Sequence, residues 1–159
     1  MTRFAIPRMI GPRFAADRKI RIVWAVVGLI CAAVLGIAFY LTPDPAGMGT
    51  HRQLGLPPCG FVLTSGLPCP TCGMTTAFCA VAHGRILAGF VAQPAGFVLC
   101  LGTLALMIYA SYVVIFGRTI FINWDRIGVR LTIALGGLFL AGWGFKLAHG
   151  LLTGTLPMK

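Results

Sequence analysis

Acid is what this chain most lacks. Asp17, Asp44 and Asp125 are its three acidic residues, against thirteen lysines and arginines, and each lies in a loop or tail. That excludes a carboxylate acid–base pair and a proton relay through carboxylates in the membrane. A phosphate-cradling nucleotide loop is missing, as are a second C-x-x-C at zinc-finger spacing, a low-complexity tract and any repeat of about 20 to 50 residues. Charge of either sign is scarce. Charged residues make up 10% of the chain and hydrophobic ones 58%, too little polarity to cover a soluble domain. The chain belongs in a bilayer.

A span needs about 20 apolar residues at about 1.5 Å each. Three runs meet that need: Ile22 to Leu41, Ala95 to Phe116, and Leu131 to about Leu152. The third carries Lys146 and His149 near one end, so Lys146 is expected to snorkel to the interface. The first run resembles a secretory signal in having a basic start, but it is as long as a full crossing. The following Phe39-Tyr40-Leu41-Thr42-Pro43 lacks small-x-small spacing, so the run is expected to stay attached.

Orientation follows from the basic residues, because short cytoplasmic segments hold an excess of lysine and arginine. Arg3, Arg8, Arg13, Arg18, Lys19 and Arg21 precede the first span, and Arg118, Arg126 and Arg130 separate the second from the third. The connection from Thr42 to Pro94 has only Arg52 and Arg85, while Lys146 and Lys159 lie in the third span and the tail. This pattern places the N-terminus in the cytoplasm and the long connection outside. The net charge of +10 then reflects topology and attraction to anionic lipid, about 1 kcal/mol per basic residue near the surface. Nucleic acid is not a partner, since the basic residues form no continuous patch around aromatic platforms.

The chemistry lies in that long connection. It opens as a Pro- and Gly-rich loop, 42-TPDPAGMGTHRQLGLPP-58, and passes Cys59 on the way to 66-GLPCPTCGMTTAFCAVAHGR-85. Pro70 suits the first turn of a helix, so a helix is predicted from Pro70 to about Ala82, with Cys69 near its N-cap and Gly84 as its left-handed terminator. Cys72, Thr75, Thr76, Cys79 and His83 would line one face. A second short helix is expected over Ile86 to Ala92, in the interface. A helix start lowers a thiol pKa below its free value of about 8.5, and both a nucleophile and a metal ligand need the thiolate. Cys69 and Cys72 can form a disulfide or bind one soft metal, with Cys59, His51 and His83 as further ligands.

Other conspicuous residues have plainer explanations. Cys31, Cys79 and Cys100 read as small packed residues, and His83 as a cap on its helix. His51 reads as solvated and His149 as interfacial. Trp24, Trp124 and Trp143 fit an aromatic belt, and Gly136, Gly137, Gly142 and Gly144 a close-packed helix face.

The segment from Cys59 through Pro94, with Thr64-x-Gly66-Leu67-Pro68-Cys69-Pro70-x-Cys72-Gly73-Met74-Thr75, Ala77 and Gly84, resembles the bacterial membrane proteins grouped as domain of unknown function 2752. The resemblance covers about a quarter of the chain. It implies a small multi-span protein of the bacterial inner membrane and a site, but no reaction. Two positions depart from the family pattern: Thr76 stands where arginine is usual, and Gln93-Pro94 where Asn-Pro is usual. An anion or lipid headgroup contact made by that arginine in relatives would be lost here.

The expected fold is therefore all-α, with three transmembrane helices and one or two short interfacial helices. Residues 1–21 form a basic cytoplasmic arm, loosely ordered over its first 20 residues. Residues 22–159 form one membrane domain, with the cysteine segment 59–94 outside the cytoplasm. Three functions fit. The first, slightly ahead, is a non-catalytic membrane component whose Cys-Pro-x-Cys-Gly turn is structural and docks a lipid or membrane-protein partner. The second is a thiol–disulfide oxidoreductase with Cys69 and Cys72 as its catalytic pair, recycled by a quinone or partner protein. The third binds or handles copper(I) or zinc through Cys59, Cys69, Cys72 and His83. No particular cofactor follows from the sequence.

Overall fold

The structure, a computed structural model, describes residues 10–122 and 124–154, with the side chains of 15–120 and 127–154. Arg3, Arg8 and Lys159, counted above in the charge asymmetry, lie outside the described residues, as do the side chains of Arg13, Trp124, Asp125 and Arg126.

Three long helices carry the architecture: α1 (Arg18–Tyr40), α5 (Pro94–Phe116) and α6 (Trp124–Thr153). All three are long and apolar enough to cross a membrane. Asp17 caps α1, its carboxylate oxygen Oδ1 accepting from the Ile20 N–H at 2.8 Å, and satisfies a backbone donor that a helix start leaves unpaired. The helix stops at Leu41 because Pro43 follows two residues later and disfavours helical backbone at Thr42. Pro94 begins α5 and Gly117, at φ 62°, ends it.

Helices α1 and α5 pack closely. A Cβ on Gly28 would lie 3.4 Å from that of Ala110, and the Trp24 and Tyr109 rings meet edge to face at 4.9 Å. Around this seam the large apolar side chains point outward. Leu29 is 71% exposed, Ile115 70% and Ile133 70%, a surface that suits hydrocarbon and not water. Fold class and spans thus agree with the sequence expectation.

At one end of the bundle, β1 (Ile10–Ala15) pairs antiparallel with β2 (Arg118–Ile122), Phe14 opposite Thr119 and Ala15 opposite Arg118. The expectation of a loosely ordered arm is corrected here over residues 10–15. The Tyr109 hydroxyl reinforces the pair by accepting from the Ile120 N–H at 3.1 Å.

The other end holds the segment between α1 and α5. A 3-10 turn (Thr50–Leu54) is followed by α2 (Gly60–Ser65), α3 (Met74–Ala82) and α4 (Ile86–Ala92). Helices α3 and α4 are the two short helices expected after Pro70, and α2 precedes them. Among them α3 is the buried one. Ala77, Cys79 and Ala80 are sealed from solvent, and Cys79 packs with Ala38 and Leu41 at the end of α1. Its neighbours approach closely because they present glycine: a Cβ on Gly89 would fall 2.8 Å from Val81 Cγ2, and one on Gly96 3.1 Å from Ala77 Cβ. Gly84, at φ 73°, ends α3 as expected.

The predicted helix start is corrected. Residues 70–73 form turns, with the Cys72 N–H donating to Cys69 O at 3.0 Å and the Met74 N–H to Thr71 O at 3.1 Å. Gly73, left-handed at φ 89°, is the N-cap. Cys69 therefore precedes the helix instead of capping it.

Candidate functional site

Cys59 is the residue from which α2 starts, and Cys69 and Cys72 sit on the turn before α3. The fold brings these two segments together. The sulfur atoms of Cys59, Cys69 and Cys72 all lie within 4.8 Å of one another, and those of Cys69 and Cys72 are 3.2 Å apart as free thiols. Cys72 is buried, while Cys59 and Cys69 are half-buried. The three line a cavity of about 340 Å³ together with Gly49, His51, Met74 and Thr76.

His83 is not brought to the cluster. It caps the far end of α3, with Nδ1 2.8 Å from Cys79 O and its ring stacked on Phe39. Of the four residues expected to act together, the structure brings the three cysteines together and leaves His83 apart, and capping by His83 agrees with the sequence expectation. His51 does reach the cavity wall, where its Nε2 lies 3.2 Å from Pro57 O.

The two turn cysteines are electrostatically unlike. Burial pushes the Cys69 thiol up, but hydrogen bonds from the Thr71 hydroxyl, Cys72, the Thr71 backbone and Cys59 outweigh it and bring Cys69 down to about 7. Burial and the hydrogen bond to Cys69 push Cys72 up to about 12. Cys69 is therefore the member of the pair that ionises first, while Cys72 keeps its proton, the two sulfurs being in hydrogen-bond contact at 3.2 Å. The lowering comes from local donors and not from the helix start, which lies beyond the turn.

Sequence reasoning passed over the groups that hold this turn rigid. Trp143 Nε1 donates to Pro68 O at 2.8 Å, Gln93 Nε2 to Pro70 O at 2.6 Å, and Lys146 Nζ to Cys72 O at 3.0 Å. Alternate carbonyls of the motif are thus fixed by side chains from α6 and from the junction of α4 with α5. Lys146 does not snorkel. It is 7% exposed and also donates to Gly47 O at 3.1 Å and Ala92 O at 2.8 Å. Trp143, expected in an aromatic belt, is turned inward as a donor. The sequence signal for Lys146 was present: an ionisable residue within an apolar span marks a site unless a path to the interface is certain.

Thr76 is buried, its hydroxyl 2.8 Å from that of Thr50, which in turn accepts from the Asp44 N–H at 3.0 Å. It lines both the thiol cavity and a neighbouring one of about 230 Å³ bordered by Asp44, Arg85, Lys146 and His149. Of the expected glycine face on α6, only Gly142 is closely approached, a Cβ there falling 3.2 Å from Ala95 N, whereas one on Gly136, Gly137 or Gly144 would meet nothing within 4 Å.

These features define an all-α membrane protein with a three-cysteine cluster at one end of its bundle. Residues 59–107 match the family described as "Protein of unknown function (DUF2752)". The match runs from Cys59 through the turn and into α5, so it contains all three clustered sulfurs. No curated protein and no solved structure matches the chain.

Proposed function

We propose that this protein binds a soft metal ion, copper(I) or zinc, through Cys59, Cys69 and Cys72. The observation that carries the reading is the arrival of a third sulfur, Cys59, from a separate segment to within 4.8 Å of the C-x-x-C pair. Three ligands at about 2.3 Å from one ion lie about 3.8 to 4.0 Å from each other, so shifts below about 1 Å would close the site. Soft thiolates favour copper(I) and zinc over hard cations, and His51 on the cavity wall is placed to complete a tetrahedral zinc site. A purely structural turn, the reading the sequence puts first, is supported by the clamps on residues 68–72 but leaves the position of Cys59 without a purpose. The charge asymmetry supports an inner-membrane location with the N-terminus in the cytoplasm and the cluster on the far side. The bilayer is then the immediate partner, and a second membrane protein could exchange metal with the cluster.

A second reading has its own support. The unequal pair, Cys69 as thiolate and Cys72 as thiol, suits thiol–disulfide exchange: Cys69 attacks a partner's disulfide and Cys72 resolves the mixed disulfide. The partner leaves reduced and the Cys69–Cys72 pair oxidised. One titration separates the two. The reduced full-length protein in detergent, titrated with zinc and with copper(I) against chromogenic chelators, is expected to bind one equivalent. Cys59→Ser should weaken that binding at least about tenfold, by loss of one ligand in three. Binding unaffected by Cys59→Ser, or no binding at all, contradicts the metal reading; a reversible Cys69–Cys72 disulfide in the same sample would then favour exchange.

A further inference from the structure

Lys146 lies deep in the protein, and its three acceptors are the backbone carbonyls of Gly47, Cys72 and Ala92, at 2.8 to 3.1 Å. A neutral amine has only two N–H donors and an ammonium has three. Three acceptors around Nζ therefore specify the charged form. No carboxylate is among them, so the charge needs another anion nearby, because an uncompensated buried ammonium is costly. Its direct contact with the cluster is the Cys72 carbonyl, 3.0 Å away, on the residue whose sulfur lies 3.2 Å from that of Cys69, while Asp44, Arg85 and His149 line a neighbouring cavity with it.

The neighbouring glycine of the motif carries the same signature. A Cβ on Gly73 would collide with Lys146 Nζ and fall 2.6 Å from Gly47 O and 2.7 Å from Ala92 O. The glycine after Cys72 thus leaves room for the ammonium and two of its acceptors, in addition to allowing φ 89°. Residues far apart in sequence, Gly73 and Lys146, are parts of one device.

We propose that Lys146 is the fixed counter-charge of the cysteine cluster: a positioning residue that locks the Cys72 backbone and holds one positive charge beside the sulfurs. With three thiolates, bound zinc leaves one negative charge in excess and copper(I) leaves two. A built-in cation offsets part of either and matters more for copper(I). This preference rests on the soft-metal reading, whereas the counter-charge itself requires only the thiolates.

The test uses full-length, metal-free protein in detergent. Cys69 is alkylated at one pH with iodoacetate, which is anionic, and with iodoacetamide, which is neutral. The ratio of the two rates cancels the thiolate population and reports the local field. In the wild type that ratio is expected to exceed several-fold the ratio for a free cysteine in the same detergent, a comparison that needs no variant. In Lys146→Met and Lys146→Gln it should fall toward the free value, with Cys79, fully buried in the fold, remaining unlabelled as a control for folding. A wild-type ratio equal to that of free cysteine, or variants that keep the wild-type ratio, would overturn the proposal. Affinities for the two metals then test selectivity. Lys146→Met should lose about 10- to 100-fold for copper(I) and less for zinc. Equal losses would reduce Lys146 to a structural clamp. Should the wild type bind neither metal while the alkylation ratio still falls in both variants, the metal reading fails and the counter-charge stands.

Discussion

Cys69 and Cys72 are separated by two residues yet occupy opposite ends of the thiol range, and the difference is local. Cys69 is lowered by hydrogen bonds, the Thr71 hydroxyl first among them, whereas burial and the contact with Cys69 raise Cys72. Alkylation of metal-free protein should therefore begin at Cys69 with a midpoint of about 7, followed residue by residue by mass spectrometry. Thr71→Ala should move the midpoint upward; a midpoint at the ordinary thiol value in the wild type would contradict the assignment. Stability follows with a definite sign. Between about 7 and the ordinary value of 9.0 the unfolded chain binds more protons than the folded one, so stability from Cys69 rises with pH through that window. Cys72 acts oppositely, retaining its proton to about 12 and costing stability as pH rises above the ordinary value. The cysteines were legible in the sequence because spacing alone marks a C-x-x-C turn. Lys146 and Trp143 were misread because snorkelling and belt rules assume that the interface is the nearest polar medium. Here the loop carbonyls of Gly47, Pro68 and Cys72 are nearer.

At the scale of elements, the short helix α3 is what sets the turn against the spans. Its neighbours touch it through Gly89 and Gly96, where a side chain would meet atoms at 2.8 Å and 3.1 Å. Gly89→Val and Gly96→Val should each destabilise the protein by about 1 to 3 kcal/mol through overpacking, read as a lower unfolding midpoint in detergent. Gly102→Ala, with nothing within 4 Å, should not. Trp143→Phe keeps the ring and removes the bond to Pro68 O, a loss of about 1 kcal/mol that should appear as faster labelling of Cys72; an unchanged rate would show that the remaining clamps suffice. The end of α3 was legible, since Gly84 terminates it as its sequence position suggests. Its start was not. Pro70 satisfies the rule for a first helical position, but Gly73 adopts left-handed backbone around the Lys146 ammonium, and that constraint comes from α6, more than seventy residues away.

At the scale of the whole molecule, the first two spans were plain as uninterrupted apolar runs of membrane length, and the third was legible despite Lys146 and His149 within it. The β1–β2 pair was not, since ten or so residues containing Pro and Arg carry no alternation to announce a strand. The ends of α1, α5 and α6 place the strand pair at one end of the bundle and the thiol cluster at the other. If the basic residues orient the chain, reporter fusions after Tyr40 and after Thr153 should both report the non-cytoplasmic side and a fusion after Phe116 the cytoplasm; the reverse pattern would place the cluster in the reducing compartment. The central claim, that the three cysteines form one metal site, is tested most directly by X-ray absorption on the metal-loaded protein. Three sulfur scatterers at about 2.3 Å are expected, falling to two in Cys59→Ser. Two sulfurs in both proteins, or a shell of only nitrogen and oxygen, would contradict it.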